Sequence, residues 1–552
     1  YVFKNQHSSI LYHIYVYAIN KRNMKIVSFS FTAPIKFFKI AIENIKKMCF
    51  NTIGKHKYNF FEGEICMKKK ICSLLLAGIL AFSGTISVFA CTGTIVGKNM
   101  SEDGTRLIAR TEDIGGGHTK RYVVQPAMQY TKEAVFVDRN TGFTYPQPAK
   151  AYKYTYVPDA DVEGDGIYGE IGFNEFGVFV DATISAYPNE QAESADPFVE
   201  DGFREANMVS ILLPRIKTAK EGVELVASIV EEKGAAEGNI LVIGDSKETW
   251  YMEIYTGHRY AAIKVPDDAC MVFPNCFMLG DVHLEDKENV FASPDLITFA
   301  QENGFYKEYE GKFHAALSYA EELTEGNRQR LWGGQNFLAP SQKISYQKEV
   351  FDLFMTPDEK VSLQDVMELQ KYRYEGTEFD ANKDDEVREI GTERQAECHV
   401  LQIKENYPEE LGGIMWLAMG NAEHSVYLPT YGNITDTHKA YKSSALNYSP
   451  DCAYWIFRSV ATLAELNREK FGASVREYWT QYQQNLIDNQ EQIDKKILEL
   501  YAKSPKEAAE YATKQGILIA DDAMKKANII YEELMTYIAA EGGRPNKEAF
   551  VP

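Results

Sequence analysis

Ser87-Val88-Phe89-Ala90-Cys91-Thr92-Gly93-Thr94 is the stretch on which the reading turns. Upstream of it, Met67-Lys68-Lys69-Lys70 is a short basic region and Ile71 to Leu80 is apolar, including Leu74-Leu75-Leu76 and Ile79-Leu80. Val88-Phe89-Ala90 then places small or aliphatic residues ahead of a break. That order is the tripartite pattern of a secretory signal peptide over residues 67–90, too short and too weakly apolar for a retained membrane span. Cleavage after Ala90 would start the mature chain at Cys91, giving one residue both a thiol and a free α-amine. A nucleophile and its own general base then share a single residue.

Two other readings of this region stay open. Val88-Phe89-Ala90-Cys91 loosely resembles a lipoprotein processing site, although bulky Phe89 fits it poorly. In that case Cys91 is a lipid anchor on a secreted binding protein, and acylation blocks its amine. Residues 1–66 begin with Tyr1, are rich in Lys, Asn, Ile and Phe, and read as upstream reading frame, the alternative being a basic arm.

Charge narrows the function classes. Residues 1–90 hold 13 Lys and Arg against 3 Asp and Glu, so the remaining 462 residues carry 46 basic and 76 acidic groups, a formal charge of −30. Such a surface repels nucleic acid and anionic membrane. Five of the eight cysteines follow the break, Cys91, Cys270, Cys276, Cys398 and Cys452, and an odd count leaves at least one thiol outside any intrachain pairing. No CxxC pair or His/Cys cluster at metal-ligand spacing occurs, which argues against a structural zinc site.

Outward from Cys91, Thr92 to Gly97 reads as a strand, Asn99 to Thr105 as a turn and Arg106 to Thr111 as the returning strand. The midpoint between Cys91 and Asp113 falls at residue 102 inside the turn, so Arg110 and Asp113 should come back beside Cys91. Asp113 can then hold the α-ammonium and Arg110 favour the thiolate. A local surface ion pair is the plain alternative.

Cys91-Thr92-Gly93-Thr94 followed by Arg110-Thr111-Glu112-Asp113 resembles the start of the dipeptidase A family of cysteine N-terminal nucleophile hydrolases, relatives of bile salt hydrolases and penicillin V acylases. The resemblance runs from Cys91 to roughly residue 540. It implies an α/β (α+β) fold, a four-layer αββα sandwich with a C-terminal helical extension, and hydrolysis of dipeptides without metal or cofactor. It also implies an oxyanion hole made by Asn275, at the end of the strand Met271 to Phe277, and by a backbone N–H near Ile184, after the strand–turn–strand Tyr168 to Thr183. Arg330 in Asn327-Arg328-Gln329-Arg330 is the candidate second active-site arginine, with Arg328 nearly as plausible. A related linear-amide hydrolase, of bile salt or penicillin V acylase type, is the nearest rival.

The remaining sequence reads as architecture. Residues 204–233 have helical spacing interrupted by Pro214, and Asn239 to Gly244, Glu248 to Ile254 and Arg259 to Val265 are strand-like. Asn174, the Gly-Asp-x-x-Glu-x-Trp residues from Gly244 to Trp250, and His399 are read as turn, core or packed positions. Short apolar runs around Val400 and Ile414 suggest a second sheet. One catalytic unit over 91–440 is followed by a helical region over 441–552, where Ser449-Pro450-Asp451 opens a helix that Gly472 ends and Ser504-Pro505-Lys506-Glu507 is a capping box. Those helices should cover the sheets or join subunits into a homo-oligomer.

Overall fold

The computed structural model describes residues 10–20, 23–33, 91–164 and 166–540. The expected signal peptide over residues 67–90 and most of the upstream segment lie outside the described residues. Ile10–Asn20 and Asn23–Ala33 pair as an antiparallel hairpin in a unit of their own.

The catalytic unit is built on two antiparallel sheets. Their strands, in chain order, are β1 (Thr92–Val96), β2 (Arg106–Asp113), β3 (Val123–Gln125), β4 (Tyr154–Tyr156), β5 (Ile171–Asn174), β6 (Phe179–Ser185), β7 (Asn239–Gly244), β8 (Thr249–Ile254), β9 (Tyr260–Lys264), β10 (Cys270–Phe273), β11 (Val290–Ala292), β12 (Gln395–Ile403), β13 (Ile414–Met419) and β14 (Leu428–Tyr431). One sheet has the order β10-β1-β2-β12-β13-β14 and the other β11-β9-β8-β7-β6-β5-β4-β3. The principal helices are α1 (Ala219–Lys233), α2 (Glu325–Leu338), α3 (Ala453–Glu465), α4 (Ala473–Tyr501) and α5 (Pro505–Ala540).

Side-chain alternation shows the layering. Along β7, Ile240 and Val242 join the core shared with the six-stranded sheet, whereas Leu241 and Ile243 join a second core with Val223, Val226 and Val230 of α1. Period-two alternation puts these sets on opposite faces, so the eight-stranded sheet lies between α1 and its partner sheet. Across the gap between sheets, Tyr251 of β8 meets Phe273 of β10 edge to face at 5.1 Å. On the outer face of the six-stranded sheet, Val272 turns to α2, where a Cβ on Gly334 would stand 2.6 Å from Val272 Cγ1. The result is the expected αββα sandwich.

Turn chemistry follows the sequence reading. Asn174 Oδ1 accepts from the N–H groups of Phe176 and Val178, closing the β5–β6 turn. Asp245 accepts from Lys247 and Glu248 in the β7–β8 turn and from Ala219 at the start of α1. In the C-terminal region, Gly472 does not end the helical run. A wide turn over Arg468–Gly472 leads straight into α4, because Phe471 and Gly472 both donate to the carbonyl of Asn467. Ser504 caps α5 by accepting from Glu507 N, but the expected capping box is half made, because the Ser504 N–H donates to the carbonyl of Leu500 in the preceding helix. Ala523, Ile530 and Leu534 of α5 belong to the same core as β1 and β2.

Candidate active site

Cys91 stands immediately before β1 and is buried. The β1–β2 hairpin pairs Thr92 with Thr111 and Gly93 with Arg110, so the return strand brings Arg110 back as the midpoint argument requires. Arg110 Nη1 donates to Cys91 Sγ at 3.6 Å. The same guanidinium reaches across the sandwich, with Nε 2.7 Å from Asp181 Oδ1 and Nη2 2.6 Å from Glu170 Oε2. His399 of β12, opposite Arg110 in the sheet register, lies 3.2 Å from Asp181 Oδ2 through Nε2 and 3.1 Å from Glu397 through Nδ1. Lys120 extends the buried network, 2.5 Å from both Glu112 and Asp159 and 3.5 Å from Glu170.

Burial dominates the electrostatics. It pushes the Cys91 thiol well above its ordinary range; Arg110 pulls the thiol back down, and Asp113, Glu205 and Glu170 add to the rise. The sequence assigned Arg110 the task of favouring the thiolate. Its charge acts in that direction but is shared with Asp181 and Glu170, and burial outweighs it. Burial also works against a charged His399, yet Glu397 and Asp181 overcome it and lift the imidazole to about 9. His399 is thus a charged, hydrogen-bonded core residue, in keeping with its reading as a packed position.

Asp113, at the end of β2, accepts from Arg388 through Oδ2, while its Oδ1 is buried with no hydrogen-bond partner. Burial raises this carboxyl, and Arg388 and Arg330 draw it down. An orphaned buried acceptor has room for one more donor.

Asn275 follows β10, where the sequence placed it. Its Nδ2 donates to the carbonyl of Ser185 at 2.9 Å, and its Oδ1 accepts from Arg330 Nη1 at 3.0 Å. Arg330, on the inner face of α2, also donates from Nη1 to the main-chain carbonyl of Cys91 and to Thr92 Oγ1 at 3.3 Å, and from Nη2 to Asn327 Oδ1 at 2.5 Å. Asn327 in turn donates to the carbonyl of Asn275 at 2.7 Å. Burial and neighbouring Arg388 lower Arg330 to about 10, which leaves it a cation at neutral pH. Arg328, the rival position, points elsewhere and donates to the carbonyls of Tyr346 and Lys348. Ile184 lies in β6 opposite Ile240, directly after a register break that begins at Asp181. Its neighbour Ser185 carries the carbonyl that Asn275 grips.

The structure therefore gathers Cys91, Arg110, Asp113, Asn275 and Arg330 around one point, with the Ile184 backbone one residue from the Asn275 contact. Sequence reasoning passed over Glu170, Asp181, Asn327 and Arg388. Glu170 and Asp181 were signals of a kind, a carboxylate inside an apolar run whose partner lies far along the chain, whereas Asn327 and Arg388 stand in polar segments that carry no such signal.

Among the described residues all five cysteines are free thiols, Cys270 and Cys276 included. Glu423, His424 and Glu465 come close enough to share an ion, but Arg468 bonds both glutamates and Arg476 bonds Glu423, so the positive charge a metal would bring is already supplied. A groove of about 990 Å³ lies at the far end of the β1–β2 hairpin, between Asp103, Gln402 and Lys404 and helix α4, away from Cys91. No described helix is long and apolar enough to cross a membrane.

Fold and site define a hydrolase on two helix-covered antiparallel sheets, with a buried cysteine at the head of an inner strand. The chain belongs to peptidase family C69, whose model matches residues 90–481. A probable dipeptidase B of Streptococcus pyogenes is 38% identical over 485 residues, covering 85% of this chain and 97% of that protein. Probable dipeptidases of Latilactobacillus sakei and Salmonella dublin are 31% and 32% identical over 84% and 72% of this chain, in each case covering 98% of the relative. Among solved structures, a variant of conjugated bile acid hydrolase from Clostridium perfringens aligns over 60% of this chain and 89% of that one, at 12% identity and a TM-score of 0.24.

Proposed function

We propose that this peptidase is an exported dipeptidase whose nucleophile is the Cys91 thiol, freed by cleavage after Ala90. The observation that carries the reading is the Arg110 guanidinium, which meets Cys91 Sγ while anchored to two buried carboxylates. The names of the relatives support dipeptides as substrates, and the family match beginning at residue 90 supports a mature chain that starts at Cys91.

The raised thiol sets the mechanism. A protonated thiol needs a base at the moment of attack, and a freed α-amine, ordinarily titrating near about 7.7–8.0, serves as one on the same residue. The unpaired Asp113 Oδ1 suits an amine or ammonium donor. In the first half-reaction the amine takes the thiol proton as sulfur attacks the peptide carbonyl, and the carbonyl oxygen becomes an oxyanion. Asn275 Nδ2 and a backbone N–H near Ile184 stabilise that charge, a donor of this kind contributing roughly 3–4 kcal/mol. The proton passes to the leaving amine as the C–N bond breaks. Water, deprotonated by the same α-amine, then attacks the thioester and restores the thiol.

The test uses protein beginning at Cys91 and a panel of dipeptides beside an acylated amide. Amino-acid release from dipeptides, lost when the N-terminal amine is blocked, is the expected result. Turnover of the acylated amide alone moves the enzyme to the amidase branch. The mass of the N-terminal peptide from exporting cells separates the free cysteine from a lipidated one.

A further inference from the structure

We propose that Glu205, with Glu237 and the side-chain carbonyl of Asn239, forms the subsite that receives a substrate's free α-ammonium, so that the enzyme selects peptides unblocked on the acyl side. This rests on the dipeptidase reading and adds the means of selection. In a dipeptide the ammonium sits on the carbon next to the attacked carbonyl, so its receptor must lie close to Cys91 Sγ.

Ser185 links the two halves of such a site. Its carbonyl accepts from Asn275, and its hydroxyl donates to Glu205 Oε2 at 3.2 Å. One residue thereby joins the oxyanion side to a carboxylate that is only 5% exposed. The Glu205 N–H donates to Glu237 Oε1 at 2.9 Å, and Asn239 Nδ2 approaches the same oxygen at 3.4 Å. Asn239 faces Ser185 across the β6–β7 register and is fully buried, yet its Oδ1 has no hydrogen-bond partner. A buried orphan acceptor beside two carboxylates fits a ligand that brings several N–H donors and a positive charge. Tyr168 borders the same place. Its phenol is held up by burial and then by the fields of Glu205, Glu170 and Glu237, and its backbone takes a φ of 41°, a left-handed conformation that is costly for a residue with a side chain.

The experiment measures kcat/KM for alanyl-alanine and N-acetyl-alanyl-alanine with the chain beginning at Cys91 and with its Glu205→Gln and Glu237→Gln forms. The unaltered enzyme should favour the free amine by about 10- to 100-fold, and E205Q should lose most of that preference. A preference kept at full size in E205Q overturns the subsite. Should E205Q not fold, the preference of the unaltered enzyme and its reduction in the more exposed E237Q decide the matter, and an E237Q with undiminished preference counts against the subsite. If the unaltered enzyme cleaves both substrates equally, the subsite fails while the peptidase reading stands. If it cleaves neither, the dipeptidase reading fails and the subsite with it.

Discussion

Arg110 serves Cys91, Asp181 and Glu170 with one guanidinium, and the last two are carboxylates with almost no access to water. Replacing it by methionine strands Asp181 and Glu170 in the interior. Breaking a buried pair from one side costs about 3–5 kcal/mol, so Arg110→Met should lower unfolding free energy by that order as well as abolish hydrolysis. Urea unfolding with an intact midpoint would remove the structural half of the argument. Cys91→Ala, by contrast, removes no buried charge and should be folded and inactive; circular dichroism beside a dipeptide assay checks both.

His399 gives a pH prediction with a definite sign. Its pKa rises from an ordinary 6.5 to about 9 in the fold, so the folded state holds its proton longer. The resulting stability is fully present below pH 6.5 and is lost as pH rises through about 9. At 1.36 kcal/mol per unit this is up to about 3 kcal/mol, set by Glu397 and Asp181 against burial. Stability measured from pH 6 to 9.5 should fall across that window, and His399→Gln should flatten the fall. A profile that declines equally in both proteins assigns the loss to other groups.

Among secondary-structure elements, α2 decides whether the site is assembled. Arg330 reaches Cys91, Thr92 and Asn275 only because α2 lies close on β10, and Gly334 allows that approach. Gly334→Leu would drive carbon into Val272 and Ile390. Overpacking of this kind costs about 1–3 kcal/mol, and tilting α2 should cut kcat more than it cuts stability. Activity and thermal unfolding measured together test this, and an unchanged kcat with lowered stability would show that Arg330 tolerates the shift.

The hairpin from Cys91 to Asp113 was legible because its contacts are local: a turn at its midpoint sets which residues meet. Arg330 and Asn275 were legible only through family resemblance, since a lone arginine on a helix and a lone asparagine after a strand have no local signature. Asp181, Glu170 and Arg388 were illegible for a related reason. Their partner in each case is 60 to 275 residues away: sheet-on-sheet packing brings Asp181 and Glu170 to Arg110, and the pairing of β12 with β2 brings the loop that carries Arg388 to Asp113. The helix boundaries near Gly472 misled because a glycine there reads as a stop, while in the fold the chain bends through one wide turn and continues.

Over the whole molecule, the family match stops within α4, yet α5 shares the core of the sheets. A chain ended after Tyr501 would bare Ile530's and Leu534's packing surfaces on the remaining helices, each such buried aliphatic being worth about 1.5–3 kcal/mol. We expect that truncation to lose cooperative unfolding and to aggregate. A monodisperse, cooperatively melting product would make the tail an accessory instead.

Arg330 holds Cys91 by its main-chain carbonyl and not by its sulfur. That grip is indifferent to the group the residue bears, which leaves Arg110 to meet the side chain itself. Evolution can therefore exchange thiol for hydroxyl at this position without rebuilding the scaffold, and a protein engineer can do the same with Cys91→Ser, starting from a side chain already delivered to the right place.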